Sequence, residues 1–278
     1  MVQGQWIREM SGAFQGKVAI ITGSSSGIGK TTALQLARQG ASVVINGRSK
    51  DKLDELRATM EEEGLSVLAI AADITAYKEC ERLIAETVKH FGGVDILINN
   101  ASLTMNDTFE NIHPDTFNQV LLSNTLGAMM PTKAALSQLK QSKGSVVFIS
   151  SLAGLHGLPA GSAYCAGKMA LTGFWQSLRI ELDHTGIHFG ICYVSFTHND
   201  KDKRMLAGAG ELVEVDERPA LLKQSQEQVA SAIVRCVRKR KAKVVLSRFG
   251  KFISVMFRYM PRITLFLVTL INNRRIAA

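Results

Sequence analysis

The last fifty residues contain no acid. Residues 229–278 carry 12 Lys/Arg and neither Asp nor Glu, a local charge of +12. Residues 1–228 hold the other 21 basic residues and all 24 acidic ones, a charge of −3. The overall +9 therefore describes neither part: the body is mildly acidic and the tail strongly basic. A polyanionic partner, if there is one, belongs to the tail. Cysteine is scarce as well. Cys80, Cys165, Cys192 and Cys236 stand without metal-ligand spacing, which excludes a disulfide scaffold or Cys-rich zinc site and fits a reducing compartment. The histidines are dispersed, so no metal is expected. No long apolar run precedes Lys17, so a secretory signal is not expected and the cytoplasm is. Aromatic platforms for single-stranded nucleic acid are not evident, and no nucleic-acid partner is expected.

What is present is enough for a packed core: 278 residues, 46% hydrophobic and 21% charged, which excludes disorder as the dominant state. From residue 17, short β-branched runs alternate with longer mixed segments. The strand candidates are 18–21, 42–45, 67–71, 96–98, 145–149 and 188–194. They lack polar alternation, as strands covered on both faces do. Helical segments fall at 29–39, 50–63, 77–91, 114–141 and 164–184. This order predicts the α/β class: a doubly wound parallel sheet, Rossmann-type, in one domain over residues 1–250, with a basic, apolar extension at 251–278. Such sheets bind ligands at the carboxyl ends of their strands.

Directly after the first strand comes Thr22-Gly23-Ser24-Ser25-Ser26-Gly27-Ile28-Gly29, and then a helix. A phosphate needs backbone N–H donors at a helix N-terminus, and glycines clear its approach. The spacing is G-x-x-x-G-x-G rather than G-x-G-x-x-G; an ordinary Gly/Ser turn is the competing reading. The second strand ends in Gly47 and Arg48, with no acid before Asp51. An acid there accepts from a free ribose 2′-hydroxyl, whereas Arg pairs with a 2′-phosphate. Arg48 thus favours NADP over NAD, against the alternative of a solvated cation at a helix start.

Tyr164-Cys165-Ala166-Gly167-Lys168 places a phenol and an amine at i and i+4, on one helix face. A lysine ammonium there favours phenolate and brings the phenol towards a useful range for proton transfer. Alone this pair is weak. Ser150-Ser151 and Asn99-Asn100-Ala101 end the fifth and fourth strands at the same rim, as caps or as site residues.

With these motifs in order, residues 15–200 resemble the short-chain dehydrogenase/reductase family, in its subgroup with a T-G-x-x-x-G-I-G loop. The motifs are residues 22–29, Asp73 after the third strand, Asn99-Asn100-Ala101, Asn124, Ser151, and Tyr164 to Lys168, with Tyr164 13 residues beyond Ser151. The resemblance implies hydride transfer between a nicotinamide and a carbonyl or alcohol carbon, with NADP(H) as cofactor. It implies Tyr164 as proton donor or acceptor, Ser151 as the hydrogen bond on the substrate oxygen, and Lys168 as the group that lowers the Tyr164 pKa and binds the ribose. It implies Asn124 as the holder of a relay water. Gly23, Ser25, Ser26, Gly27, Ile28 and Gly29 would hold phosphate, Arg48 the 2′-phosphate, Asp73 and Ile74 the adenine, and Asn99 and Ala101 the adenosine side. A homodimer or homotetramer, packed through the helices after Leu121 and Tyr164, is also implied. The rival is a non-catalytic nucleotide-binding or membrane-associated scaffold that kept the fold.

Two departures stand out. The family's N-N-A-G ends here in Ser102, and the Pro-Gly usual after the sixth strand is replaced within Ser195-Phe196-Thr197. His156, on the loop after Ser151, reads as a solvated loop residue, with a substrate contact as the alternative. The polar stretch 197–227 reads as an exposed substrate lid.

The tail segment 252–271 is largely apolar but holds Arg258, Pro261 and Arg262 near its centre. Two central arginines cost about 5–7 kcal/mol on an insertion scale, against about 4–7 returned by the apolar residues. Proline also disfavours one uninterrupted helix. An interfacial segment on an anionic membrane is the better expectation, aided by the cations between Arg235 and Lys243 at about 1 kcal/mol each near the surface. Packing of residues 263–271 on another subunit or on the body, with a solvated basic face, stands equally beside it. The apolar tail hints at a hydrophobic substrate.

Overall fold

The computed structural model describes residues 12–200, 202–215 and 223–276. Seven strands form one parallel sheet: β1 (Val18–Ile21), β2 (Ser42–Gly47), β3 (Val67–Ala71), β4 (Ile96–Asn99), β5 (Ser145–Ser151), β6 (His188–Val194) and β9 (Lys243–Val245). Their order is β3-β2-β1-β4-β5-β6-β9, every neighbouring pair parallel. The chain winds outward from β1 through β2 and β3, then restarts at β4 on the other side. A crevice opens where the winding reverses, between β1 and β4.

The period of two along each strand sends neighbours to opposite faces. Ile21, Ile45, Ile98 and Val147 meet Ala33 and Leu36 of helix α1 (Gly27–Ala37), Leu53 and Leu56 of α2 (Lys50–Glu62), and Val229 and Ile233 of α6 (Gln226–Arg238). Ile20, Val44, Leu97, Val146 and Phe148 meet Leu83 of α3 (Tyr77–Phe91), Ala135 and Leu139 of α4 (Pro114–Ser142), and Leu171 and Trp175 of α5 (Ser162–Glu181). Both faces are covered, which is why these strands carry no polar alternation. Local signals agree: α3 buries Cys80, Leu83, Ile84 and Thr87 at helical spacing, and α6 opens with a Ser225/Gln228 capping box.

The expected six strands and five helices are all present, several extended by a few residues. β9 was not expected from its three residues. Beyond β6 the expected exposed lid needs correction. Residues Arg204–Leu206 (β7) and Leu212–Glu214 (β8) form an antiparallel hairpin with Met205 and Leu206 buried. The Leu206 N–H donates to the Thr104 carbonyl at 2.9 Å, and its own carbonyl accepts from Asn106 at 3.2 Å. Apolar Leu206 joins Met105, Val120 and Ala163 in a small core, which polarity averaged over 31 residues concealed. Residues 201 and 216–222 of that lid lie outside the described residues.

The tail forms two helices, α7 (Arg248–Tyr259) and α8 (Pro261–Ile276), bent by 120° at the break before Pro261. Among the described residues no single helix is long and apolar enough to cross a membrane.

Candidate active site

The phosphate loop is fixed by its own backbone. Gly23 has φ +62°, and a Cβ there would stand 2.7 Å from the Ala101 Cα. Only glycine fits that approach. The Thr22 hydroxyl oxygen accepts from the Asn100 N–H at 3.0 Å and the Ala101 N–H at 3.1 Å. The Asn100 amide in turn donates to the Thr22 and Gly23 carbonyls, both at 3.0 Å. The first loop and the turn after β4 are therefore one unit. Ser26, at the N-cap of α1, makes no side-chain capping bond, so the helix offers its first N–H groups outward.

One of those groups already holds an anion. The Gly27 N–H donates to Asp200 Oδ2 at 2.8 Å, and the Gln226 amide donates to Asp200 Oδ1 at 2.8 Å. A lid carboxylate thus sits where the helix end attracts negative charge. Nearby, Lys52 pairs with Asp202 of the same lid at 2.7 Å.

A cleft of about 870 Å³ runs from this loop to the end of β5. Gly23, Ser25, Ser26, Gly27, Ile28, Gly29, Arg48, Asp73, Ile74, Ala101, Ser151, Tyr164 and Lys168 all line it. Asn99 and Asn124 are not among the lining residues. Asn99 is 3% exposed and donates inward to the Thr132 hydroxyl at 2.9 Å; its neighbour Asn100 faces the cleft instead. Arg48 lies near Asp73, whose carboxyl is held below its usual range first by the Thr75 backbone N–H and less by Arg48.

At the other end, Ser151 Oγ accepts from the Ala153 N–H at 3.2 Å, which aims its own proton elsewhere. Burial pushes the Tyr164 phenol above its ordinary range, while the nearby Ser151 hydroxyl and, less, that of Ser102 pull the other way. The Lys168 ammonium donates to the Ile149 carbonyl at 3.0 Å and stands 5.7 Å from the Tyr164 ring centre. Its burial, with the Lys203 cation adding in the same direction, brings its pKa down to about 7. Asn124 donates to the Leu103 and Val120 carbonyls at 2.7 and 2.8 Å and accepts from Ser102 Oγ at 2.7 Å. Ser102 was identified in the sequence only as a small departure.

His156 corrects another expectation. It is buried, stacked on Phe257 of α7 with ring centres 3.5 Å apart at 11°. Burial holds the imidazole below its usual range. The partner comes from 101 residues away in sequence, so no local pattern could announce it. Cys165 is the helix-packing residue expected, buried with its thiol accepting from the Leu158 N–H.

A model of the short chain dehydrogenase family matches residues 17–208. The chain belongs to that family. It is 37% identical to 11-beta-hydroxysteroid dehydrogenase 1A of Arabidopsis thaliana over 201 residues, 71% of this chain and 57% of that protein. The chain thus spans little more than half of that relative's length. It is 32% identical to 11-beta-hydroxysteroid dehydrogenase-like 2 of the same plant, over 91% of this chain and 80% of the relative. With 3-ketodihydrosphingosine reductase of Bos taurus it shares 33% over 65% of this chain and 56% of that protein. An alcohol dehydrogenase of Thermococcus sibiricus, solved with 5-hydroxy-NADP, superposes with a TM-score of 0.71 at 26% identity, covering 83% of this chain and 95% of that one.

The loop fits a dinucleotide on this structure's own terms: the glycine cradle would be filled by a Cβ, and a carboxylate already stands in as the anion.

Proposed function

We propose that this short-chain dehydrogenase interconverts a carbonyl and an alcohol with NADP(H), on a hydrophobic substrate. The carrying observation is that Ser151, Tyr164 and Lys168 line the same cleft as the phosphate loop and Arg48. The loop N–H groups and Arg48 would hold the phosphates, and Lys168 the ribose next to the nicotinamide. The bound nicotinamide supplies or accepts a hydride. In reduction, Ser151 donates a hydrogen bond to the substrate carbonyl oxygen and fixes it beside Tyr164, whose hydroxyl gives up its proton there. Lys168, titrating near neutrality, stabilises the phenolate that remains and takes part in its reprotonation. The polar ends of the cleft hold the cofactor. Leu103, Met105, Leu122, Leu158 and Met205 line its wall, which supports an apolar substrate. Following NADPH absorbance against a panel of apolar ketones and aldehydes tests this. Turnover is expected; cofactor binding without turnover on any of them would favour the non-catalytic scaffold. Arg48→Ala should weaken NADPH about 10- to 100-fold and leave NADH nearly unchanged; equal losses would remove Arg48 from cofactor choice.

The place of work we propose is the cytoplasm, at an anionic membrane surface. Four buried free cysteines support a reducing compartment. On α7 and α8, Phe252, Val255, Tyr259, Leu265, Phe266 and Ile271 are each more than half exposed, among Lys251, Arg258 and Arg262. Apolar side chains flanked by cations and bent out of line suit the headgroup region. A homo-oligomer is the further part of this reading, supported by exposed Met169 and Ile180 on α5.

A further inference from the structure

We infer that Phe257 of α7 is a positioning residue for the substrate side of the cleft: stacked on His156, it clamps the loop that carries Leu158. The inference rests on the proposed reaction only for its consequence; the clamp itself is a matter of geometry.

The loop after β5 is tied to α5 in two places. At its start the Ala153 N–H donates to Ser151 Oγ at 3.2 Å, and the Thr172 hydroxyl of α5 donates to the Gly154 carbonyl at 3.0 Å. Gly154 lies so close to α5 that a Cβ there would stand 2.7 Å from the Lys168 carbonyl oxygen. Further on, the Leu158 N–H donates to Cys165 Sγ at 3.3 Å. Ala153 and Leu158 both line the cleft, beside Tyr164 and Lys168.

Three residues bridge the two ties. Leu155 packs inward against the core that holds Leu171 and Trp175. Gly157 is in open space, with no atom of the described residues within 4 Å of an added Cβ. His156 is 7% exposed but poorly bonded. Its Nδ1 reaches only the neighbouring Gly157 carbonyl, at 3.4 Å, and its Nε2 has no partner among the described residues. Polar bonds therefore do not fix this ring to the body. The flat stack on Phe257 does, with ring centres 3.5 Å apart at 11°.

Helix α7 is built to hold that stack in place. It is rooted in the sheet, because the Leu246 N–H, directly after β9, donates to the Tyr193 carbonyl of β6 at 3.0 Å. The Ser247 hydroxyl then caps the helix, accepting from the Gly250 N–H at 2.9 Å. Gly250 and Phe257 are seven residues apart, two turns along one face. Gly250 sits over Leu152, where a Cβ would come within 3.3 Å of Leu152 Cδ2, and Phe257 sits over His156. Ile253 and Ser254, between them, are half-buried, whereas Phe252, Val255 and Tyr259 turn outward. The helix thus lies along the loop and presses it towards α5 at both contacts. Without the Phe257 ring, His156 has room to move, and Leu158, two residues on, loses its fixed place in the cleft wall. Placement of the substrate then suffers, and the phosphate loop does not.

The test is Phe257→Ala in the full chain, read in two ways. By hydrogen exchange with mass spectrometry, the amides of residues 155–158 should exchange about tenfold faster, with β1 to β3 unchanged. On a carbonyl that the enzyme turns over, KM should rise about 3- to 10-fold, with kcat within about twofold and NADPH affinity kept. Phe257→Tyr keeps the flat ring and should restore both readings. Phe257→Leu keeps apolar volume without the ring; it should fall between, and it serves should the alanine variant not fold. Exchange unmoved at 155–158 in a folded Ala or Leu variant overturns the inference. So does faster exchange with KM unmoved, and so does an equal loosening of β1 to β3 or of NADPH binding, which would mark a general loss of stability. A chain inactive on every carbonyl sinks the proposed reaction, while exchange still decides whether Phe257 holds the loop. An active chain with unmoved exchange sinks this inference alone.

Discussion

Residues 18–194 and residues 248–276 are both rich in apolar side chains, but the two regions dispose of them in opposite ways. In the first, Ile20, Leu97 and Phe148 are 0% exposed, packed between strands and helices. In the second, Phe252 is 61% exposed, Phe266 66% and Tyr259 70%. Composition does not separate them; geometry does. A strand between two helical layers has a partner for each face. The tail helices carry apolar residues around much of their circumference, and the body meets α7 only over a narrow stripe, with Gly250 against Leu152 and Phe257 on His156. The proposed chemistry therefore falls in the region with fixed walls, and the proposed partition onto a membrane surface in the tail.

Changes within the walls should show the largest effects. Tyr164→Phe should lower turnover by about 10²–10⁴-fold and leave NADPH binding nearly intact, measured by rate and by fluorescence titration. Substantial residual turnover would deny the phenol its role. The tail should respond in partition instead. Full-length protein should sediment with anionic liposomes, less so at high salt, and protein lacking residues 261–278 should stay in the supernatant with its turnover kept. If liposomes do nothing and the shortened protein elutes as a smaller species, the tail is a subunit contact. The cut is placed after α7 because Phe257 covers His156, five residues beyond Ser151.

The lid lies between these extremes, held to the walls by a few polar contacts. Asp200 occupies a loop N–H that a cofactor phosphate would use. Asp200→Asn should therefore tighten both NADPH and NADH, by about 3- to 10-fold, as measured by calorimetry. Weaker binding would make Asp200 a support of the loop rather than a competitor. The smallest effect concerns Lys168. Its pKa is about 7 in the fold, below the ordinary 10.5, so keeping it charged costs stability. That cost is complete below pH 7 and fades between pH 7 and 10.5, because only the unfolded chain is then protonated. Lys168→Met should raise Tm most at pH 6, and the gain should shrink by pH 9. A gain equal at both values would mean that packing, not charge, is responsible.

Much of this molecule was legible in the chain. The β-branched runs at 18–21, 67–71 and 188–194 became strands with those bounds because coverage on both faces leaves few polar residues, His188 among them, to blur them. The glycines at 23 and 29 marked the phosphate loop because close backbone approach tolerates nothing else. Other features were silent. Lys243–Val245 is three residues long and joins the sheet only because β6 offers it an edge. Asn99 looked like the rim residue, yet the twist of the turn buries it and presents Asn100.

The sequence by itself determined the parallel sheet, the loop and the order of Ser151, Tyr164 and Lys168. These follow from local periodicity and from residues whose chemistry has few substitutes. The tertiary structure alone decided that Asp200 would reach Gly27 across 173 positions, that Phe257 would cover His156, and that Ser102 would donate to Asn124. Each of these is a meeting of two residues far apart in the chain. A single sequence records the residue types at both ends of such a contact, and the path of the backbone between them sets the distance.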